Sequence, residues 1–174
     1  MTLALLTGGA RSGKSAIAVR RAQRSDGPVV FVATGQARDE EMADRIARHQ
    51  AERPAGWTTL EAPLDLVAAV AALPPGRTVV VDCLSLWVSN LMERGDDEHA
   101  VAEQASELAR WAAAYPGSVI VMTNEVGTGI VPVHPVSRDY RDRLGRVNAL
   151  VAAEADLAQL VVAGRTLTLD PAED

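Results

Sequence analysis

The stretch Leu3-Ala4-Leu5-Leu6-Thr7-Gly8-Gly9-Ala10-Arg11-Ser12-Gly13-Lys14-Ser15 decides the fold. Its first five residues are apolar at nearly every position, as a strand covered on both faces requires. They run directly into a full match to G-x-x-x-x-G-K-[ST] at Gly8 to Ser15. Glycines let the backbone curl so that successive N–H groups aim at one anion, and the helix that follows adds its positive end. Lys14 is then expected to reach the β- and γ-phosphates of a nucleotide, and the Ser15 hydroxyl to ligate Mg²⁺. Lys14 is also the one lysine among 17 basic residues. In a chain that uses arginine everywhere else, a surviving ammonium marks a place where a compact charge does what a planar guanidinium cannot.

Outward from that motif, short apolar runs alternate with helical patterns. Strands are expected at Leu3 to Thr7, Val29 to Ala33, Thr58 to Glu61, Thr78 to Val81, Val119 to Thr123, Leu157 to Val162 and Thr166 to Leu169. Helices are expected at Ser15 to Arg24, Asp39 to Glu52, Leu64 to Leu73, Leu86 to Met92, Glu98 to Tyr115 and Ser137 to Ala155. This is the pattern of an α/β fold: a P-loop NTPase-type three-layer sandwich, with a mainly parallel sheet and helices on both faces. Ala163-Gly164-Arg165 is too short for a crossover, so the last two strands should form a C-terminal antiparallel hairpin.

At 174 residues the chain is expected to be a single P-loop nucleotide-binding domain spanning 1–174. A chain of this size can bury about 70% of its extended surface, enough for a core without covalent staples. With 48% hydrophobic and 3% aromatic residues, that core must be aliphatic. Cys83 is the one cysteine, which excludes an internal disulfide and suits a reducing cytoplasm. A net charge of −6 argues against a nucleic-acid partner. No apolar run approaches a membrane span, and the N-terminus has no signal-like core.

Several residues carry more than one reading. Asp82 closes Val79-Val80-Val81, where a second Mg²⁺ ligand belongs; capping of the next helix is the competing account. Helical spacing puts Met42, Ile46, His49 and Arg53 on one side, so His49 alone reads as a boundary histidine. Asn124 and Glu125 follow a strand's C-terminal end, where ligands of such sheets gather, and turn chemistry is the competing account. His99 and His134 receive no role. Without a second lysine an Asn-Lys-x-Asp base-reading motif cannot exist, which excludes a regulatory GTPase of that kind.

The residues also carry a resemblance. Thr7 to Ser15, Ala33-Thr34-Gly35-Gln36, Asp39-Glu40-Glu41-Met42, Arg48-His49 through Arg53-Pro54, and Thr123-Asn124-Glu125-Val126-Gly127-Thr128-Gly129-Ile130-Val131-Pro132 all contribute. With Tyr140-Arg141-Asp142 and Gly145-Arg146-Val147-Asn148 they resemble the bifunctional adenosylcobinamide kinase / adenosylcobinamide-phosphate guanylyltransferases of cobalamin biosynthesis. The likeness runs in order from about Leu5 to Leu169. It implies two reactions: phosphorylation of adenosylcobinamide by ATP or GTP, then transfer of GMP from GTP to the product through a GMP-histidine intermediate. It implies catalytic roles for His49 and Lys14. Nucleotide contacts would fall on Gly8, Gly9, Ala10, Arg11, Ser12, Gly13, Lys14, Ser15, Thr34, Gly35, Gln36, Gln50, Ala51, Glu52, Arg53, Glu61 and Asp82. Mg²⁺ would sit on Ser15 and Asp82. Glu61 reads as well as a strand-end surface acid, and Gln50 to Arg53 as a solvated helix end. Arg138, Arg141 and Arg146 are candidates for the cobinamide phosphate. Val133-His134-Pro135 departs from the family pattern, in which an acid often follows the proline. The resemblance further implies a cytoplasmic homo-oligomer, commonly a trimer. Two rival readings are a small-molecule kinase with a structural His49 and a nucleotide-dependent binding or regulatory module.

Overall fold

Alternation along the first strand, β1 (Thr2–Thr7), divides its side chains between two cores. Leu3 and Leu5 enter one, and Leu6 enters the other. The computed structural model describes residues 2–171 apart from 26 and 52, and leaves the side chains of Arg45 and His49 outside the description. The remaining strands are β2 (Val29–Ala33), β3 (Thr58–Glu61), β4 (Thr78–Asp82), β5 (Ser118–Met122), β6 (Leu157–Val162) and β7 (Arg165–Leu169). The helices are α1 (Lys14–Ala22), α2 (Glu40–Ala51), α3 (Leu66–Ala71), α4 (Leu84–Arg94), α5 (Glu98–Ala114) and α6 (Pro135–Ala153).

Among the described residues the seven strands form one sheet in the order β3-β2-β4-β5-β1-β6-β7. Every pairing is parallel except the terminal β6–β7 hairpin. The larger core lies under α3 to α6 and is built on Val30, Val32, Val79, Val81, Val119 and Val121, with Trp87 fully enclosed. The smaller one lies under α1, where Ile17, Ala18 and Ala22 meet Phe31, Val80, Ile120 and Met122. Helices thus cover both faces, and the expected P-loop-type arrangement of sheet, phosphate loop and helix is borne out.

Element boundaries differ from expectation by a few residues. The third helix shrinks to α3, because Leu64 is engaged elsewhere: its carbonyl accepts the Trp87 indole N–H at 2.9 Å. The fourth begins earlier, at Leu84, and its N-cap is Cys83 rather than Asp82. That removes capping as the account of Asp82. Register then sets the stage for function. Ala33 lies beside both Glu61 and Asp82, Asp82 beside Met122, and Met122 beside Leu6. The carboxyl ends of five strands therefore finish at one level, and the loops leaving them share one edge.

Candidate active site

The phosphate loop leaves β1 at that edge. Gly8 holds a φ of 151° and Gly13, the N-cap of α1, a φ of 100°, while Arg11 between them takes 56°. A side chain at Gly8 is excluded for a second reason: its Cβ would sit 2.3 Å from the Val161 carbonyl oxygen of β6. Gly13 offers no side-chain cap, so the first-turn N–H groups of α1 are left for an anion. Lys14 folds back over the loop, its Nζ donating to the Gly8 and Gly9 carbonyls at 2.8 Å each. Two outside elements brace the curl. The Gly164 N–H of the β6–β7 turn donates to the Ser12 carbonyl at 2.8 Å, and the Glu125 N–H donates to the Gly8 carbonyl at 3.2 Å.

Two cavities open at this edge of the sheet. The smaller, about 260 Å³, is lined by Ser15, Ala16, Val19, Arg20, Phe31, Arg53 and Asp82. The larger, about 580 Å³, includes Gly35, Gln36, Arg38, Met42, Ile46, Gln50, Arg53, Glu61, Asp82, Cys83 and Asn124. Arg53 and Asp82 belong to both and mark where they meet. The Arg53 guanidinium lies 3.6 Å from the Phe31 ring centroid and donates to Thr59 Oγ1 at 3.2 Å, while its Nε is buried without a partner among the described residues. Burial lowers the Arg53 pKa, and the Asp82 carboxylate pushes it back up. Ser15 and Asp82 face one cavity with oxygen donors, the hard-ligand chemistry that suits Mg²⁺ when substrate phosphates complete its shell.

The sequence-predicted residues are thus partly gathered. Lys14, Ser15, Gly35, Gln36, Gln50, Arg53, Glu61 and Asp82 converge on the loop and its cavities. Thr34 is fully buried, and its hydroxyl is occupied by the Cys83 backbone: it donates to the carbonyl at 2.7 Å and accepts from the N–H at 2.8 Å. Ala51 is exposed at the end of α2. Glu52 lies outside the described residues; position 49 falls within α2, but the His49 side chain is likewise undescribed. The three arginines considered for a substrate phosphate go elsewhere. Arg146 pairs with Glu98 of α5 at 2.7 Å, Arg141 pairs with Asp142, and Arg138 donates to the Pro132 and Val133 carbonyls.

Sequence reasoning missed the braces. The Gly164 contact joins residues far apart in the chain, and no local pattern announces it. A polar belt beside the larger cavity has no local sequence pattern either, although two of its members, Asn124 and Tyr140, lie in stretches that carry the family resemblance. Asn90 Nδ2 donates to the Thr34 and Pro63 carbonyls, and Arg38 reaches Asn90 Oδ1 at 2.9 Å. Ser85 Oγ lies 2.9 Å from Cys83 Sγ and accepts the Asn124 amide at 2.9 Å, and Tyr140 donates to the Ser85 carbonyl at 3.1 Å. Burial, reinforced by the nearby Cys83, pushes the Tyr140 pKa up to about 12.

Residues 4–169 match the family model described as cobinamide kinase / cobinamide phosphate guanyltransferase. The chain is 42% identical over 166 residues to the bifunctional adenosylcobalamin biosynthesis protein CobP of Pseudomonas aeruginosa, with 95% of each chain covered. It is 40% identical over 174 residues to the protein CobU, of the same description, from Salmonella typhimurium, covering 92% of this chain and 95% of that one. Among solved structures, a Pyrococcus horikoshii protein superposes with a TM-score of 0.59 over 96% of this chain and 85% of its own. At 9% identity that likeness concerns the fold alone.

Proposed function

The chain belongs to the cobinamide kinase / cobinamide phosphate guanyltransferase family, and from that premise we propose that it phosphorylates adenosylcobinamide and then guanylylates the product. The observation that carries the reading is that Ser15, Arg53 and Asp82 line one cavity at the foot of a phosphate loop on which Lys14 is folded back.

In the kinase step the loop amides and Lys14 grip the nucleotide phosphates. To do so Lys14 exchanges its contacts with the Gly8 and Gly9 carbonyls for phosphoryl oxygens. The substrate hydroxyl forms a new P–O bond to the γ-phosphorus as the bridge to the β-phosphate breaks, and the nucleoside diphosphate leaves with that electron pair. Ser15 and Asp82 are the residues that would hold Mg²⁺, which when bound supplies neutralisation of the charge developing on the leaving oxygens. Arg53, partly desolvated and kept cationic beside Asp82, adds a second fixed positive charge.

In the transfer step a neutral His49 nitrogen attacks the α-phosphorus of GTP and pyrophosphate departs. The phosphate of the corrinoid then attacks the same phosphorus, forming the P–O–P bond and releasing imidazole. Gln36, Gln50 and Glu61, around the larger cavity, would meet the nucleoside. The exposed Ile130, Val131 and Val133, on the loop leaving Asn124, suit a large macrocycle that is partly apolar. The reading includes a single catalytic domain, a cytoplasmic location and a homotrimeric assembly. The cytoplasmic location is supported by the single, buried, unpaired Cys83, which suits a reducing compartment.

The test supplies GTP labelled at its α-phosphate, followed by denaturation. Label that stays on the chain, is released by acid and vanishes in His49→Ala is the expected result. No retained label leaves a kinase with a structural His49. No phosphorylated corrinoid from adenosylcobinamide with ATP or GTP overturns the kinase half.

A further inference from the structure

We propose that Asn124 is the acceptor that orients the substrate alcohol in the kinase step, with Asn148 and Ser85 as the positioning residues that aim it. The proposal rests on the family activity above and assigns to the Gly145-to-Asn148 motif a task that the phosphate loop does not explain.

Asn148, on α6, is locked at both ends of its carboxamide. Its Oδ1 accepts the Thr123 hydroxyl at 2.7 Å, and its Nδ2 donates to the Asn124 backbone carbonyl at 3.0 Å. The bond to the carbonyl fixes the amide's orientation, because swapping its oxygen and nitrogen would set acceptor against acceptor there. The two bonds also fix the turn at Thr123–Asn124, immediately after β5. The Asn124 side chain is held from the other side, its Nδ2 donating to Ser85 Oγ at 2.9 Å. With the nitrogen committed, the Asn124 carboxamide oxygen has no hydrogen bond among the described residues and is left to the larger cavity, which Asn124 lines.

The position says what that oxygen can meet. β5 lies between β4, which ends in Asp82, and β1, which runs into the phosphate loop. The next residue, Glu125, is bonded to Gly8 of that loop at 3.2 Å. A neutral acceptor placed between the loop and Asp82 would oppose a phosphate oxygen, since both offer only lone pairs. A hydroxyl resolves that conflict: it donates to Asn124 and presents its oxygen to the γ-phosphorus. The carboxamide takes no proton. The alcohol keeps its proton while the new P–O bond forms and the bond to the departing diphosphate breaks, and the proton then passes to the transferred phosphoryl group. In the second reaction the attacking group is a phosphate, largely without a proton to donate, so Asn124 serves the first reaction selectively.

The experiment measures two assays on each purified chain: phosphorylation of adenosylcobinamide with ATP, and guanylyl transfer from GTP to supplied adenosylcobinamide phosphate. Asn124→Ala is expected to lower the ratio of kinase to transferase kcat/KM by about tenfold, the order expected for one lost hydrogen bond that strengthens in the transition state. The KM for ATP should stay put. Asn148→Asp, which keeps the shape and the Thr123 contact but cannot donate to Asn124, should shift the ratio the same way. Combining it with Asn124→Ala should add little. An unchanged ratio, an equal loss in both assays, or a rise confined to the KM for ATP overturns the assignment while leaving the family activity standing. A wild-type chain inactive in both assays overturns that activity instead.

Discussion

Lys14 was legible from the sequence because it is a lone lysine inside a spacing pattern. The structure adds that its ammonium rests on two loop carbonyls, a preformed arrangement from which it can exchange onto phosphate. Lys14→Ala should therefore cost roughly a hundredfold or more in kcat/KM for both reactions, as loss of a charge aimed at developing negative charge does. Steady-state kinetics with each substrate checks it. Arg53 could be placed near the site only through the family resemblance, and its seat on the chain's one phenylalanine could not be read at all, because that depends on which strand residue lies beneath it. Tyr140 makes a pH prediction. Its pKa rises mainly through burial, from 10.0 to about 12, so the neutral phenol is the form the fold favours. Its contribution to stability is complete below about pH 10 and is lost as pH climbs towards 12. Melting curves of the wild type and Tyr140→Phe should therefore keep a constant separation up to about pH 10. Above that the wild type should lose ground against the variant.

At the level of elements, the strand–loop–helix unit and the terminal hairpin could both be read from apolar runs and turn residues. What could not be read is that the second grips the first. Val161 lies against Gly8, and the Gly164 N–H holds the Ser12 carbonyl. Two neighbouring glycines should consequently differ in their response to the same change. Gly8→Ala drives a Cβ into the Val161 backbone at a φ that disfavours it, and should cost about 1–3 kcal/mol in stability along with nucleotide affinity. Gly9→Ala meets nothing within 4 Å and should remain close to wild type in stability. Urea titrations with and without nucleotide distinguish them.

For the whole molecule, the order of hydrophobic runs was enough to give a mainly parallel, two-faced sheet. The sharing of residues between its two cores follows from the pleat. The position of Trp87 did not follow from pattern, because an indole can be enclosed only where its N–H finds a partner, here the Leu64 carbonyl on a separate segment. Trp87→Ala should destabilise the fold by about 3–5 kcal/mol, read as a lower denaturant midpoint with little change in slope. The union of the phosphate loop with the β6–β7 turn also bears on biosynthesis. The phosphate loop is synthesised before Gly164 and waits for it before its curl is braced. A translation product cut short before that hairpin would carry every catalytic side chain discussed above and still hold its cradle slack.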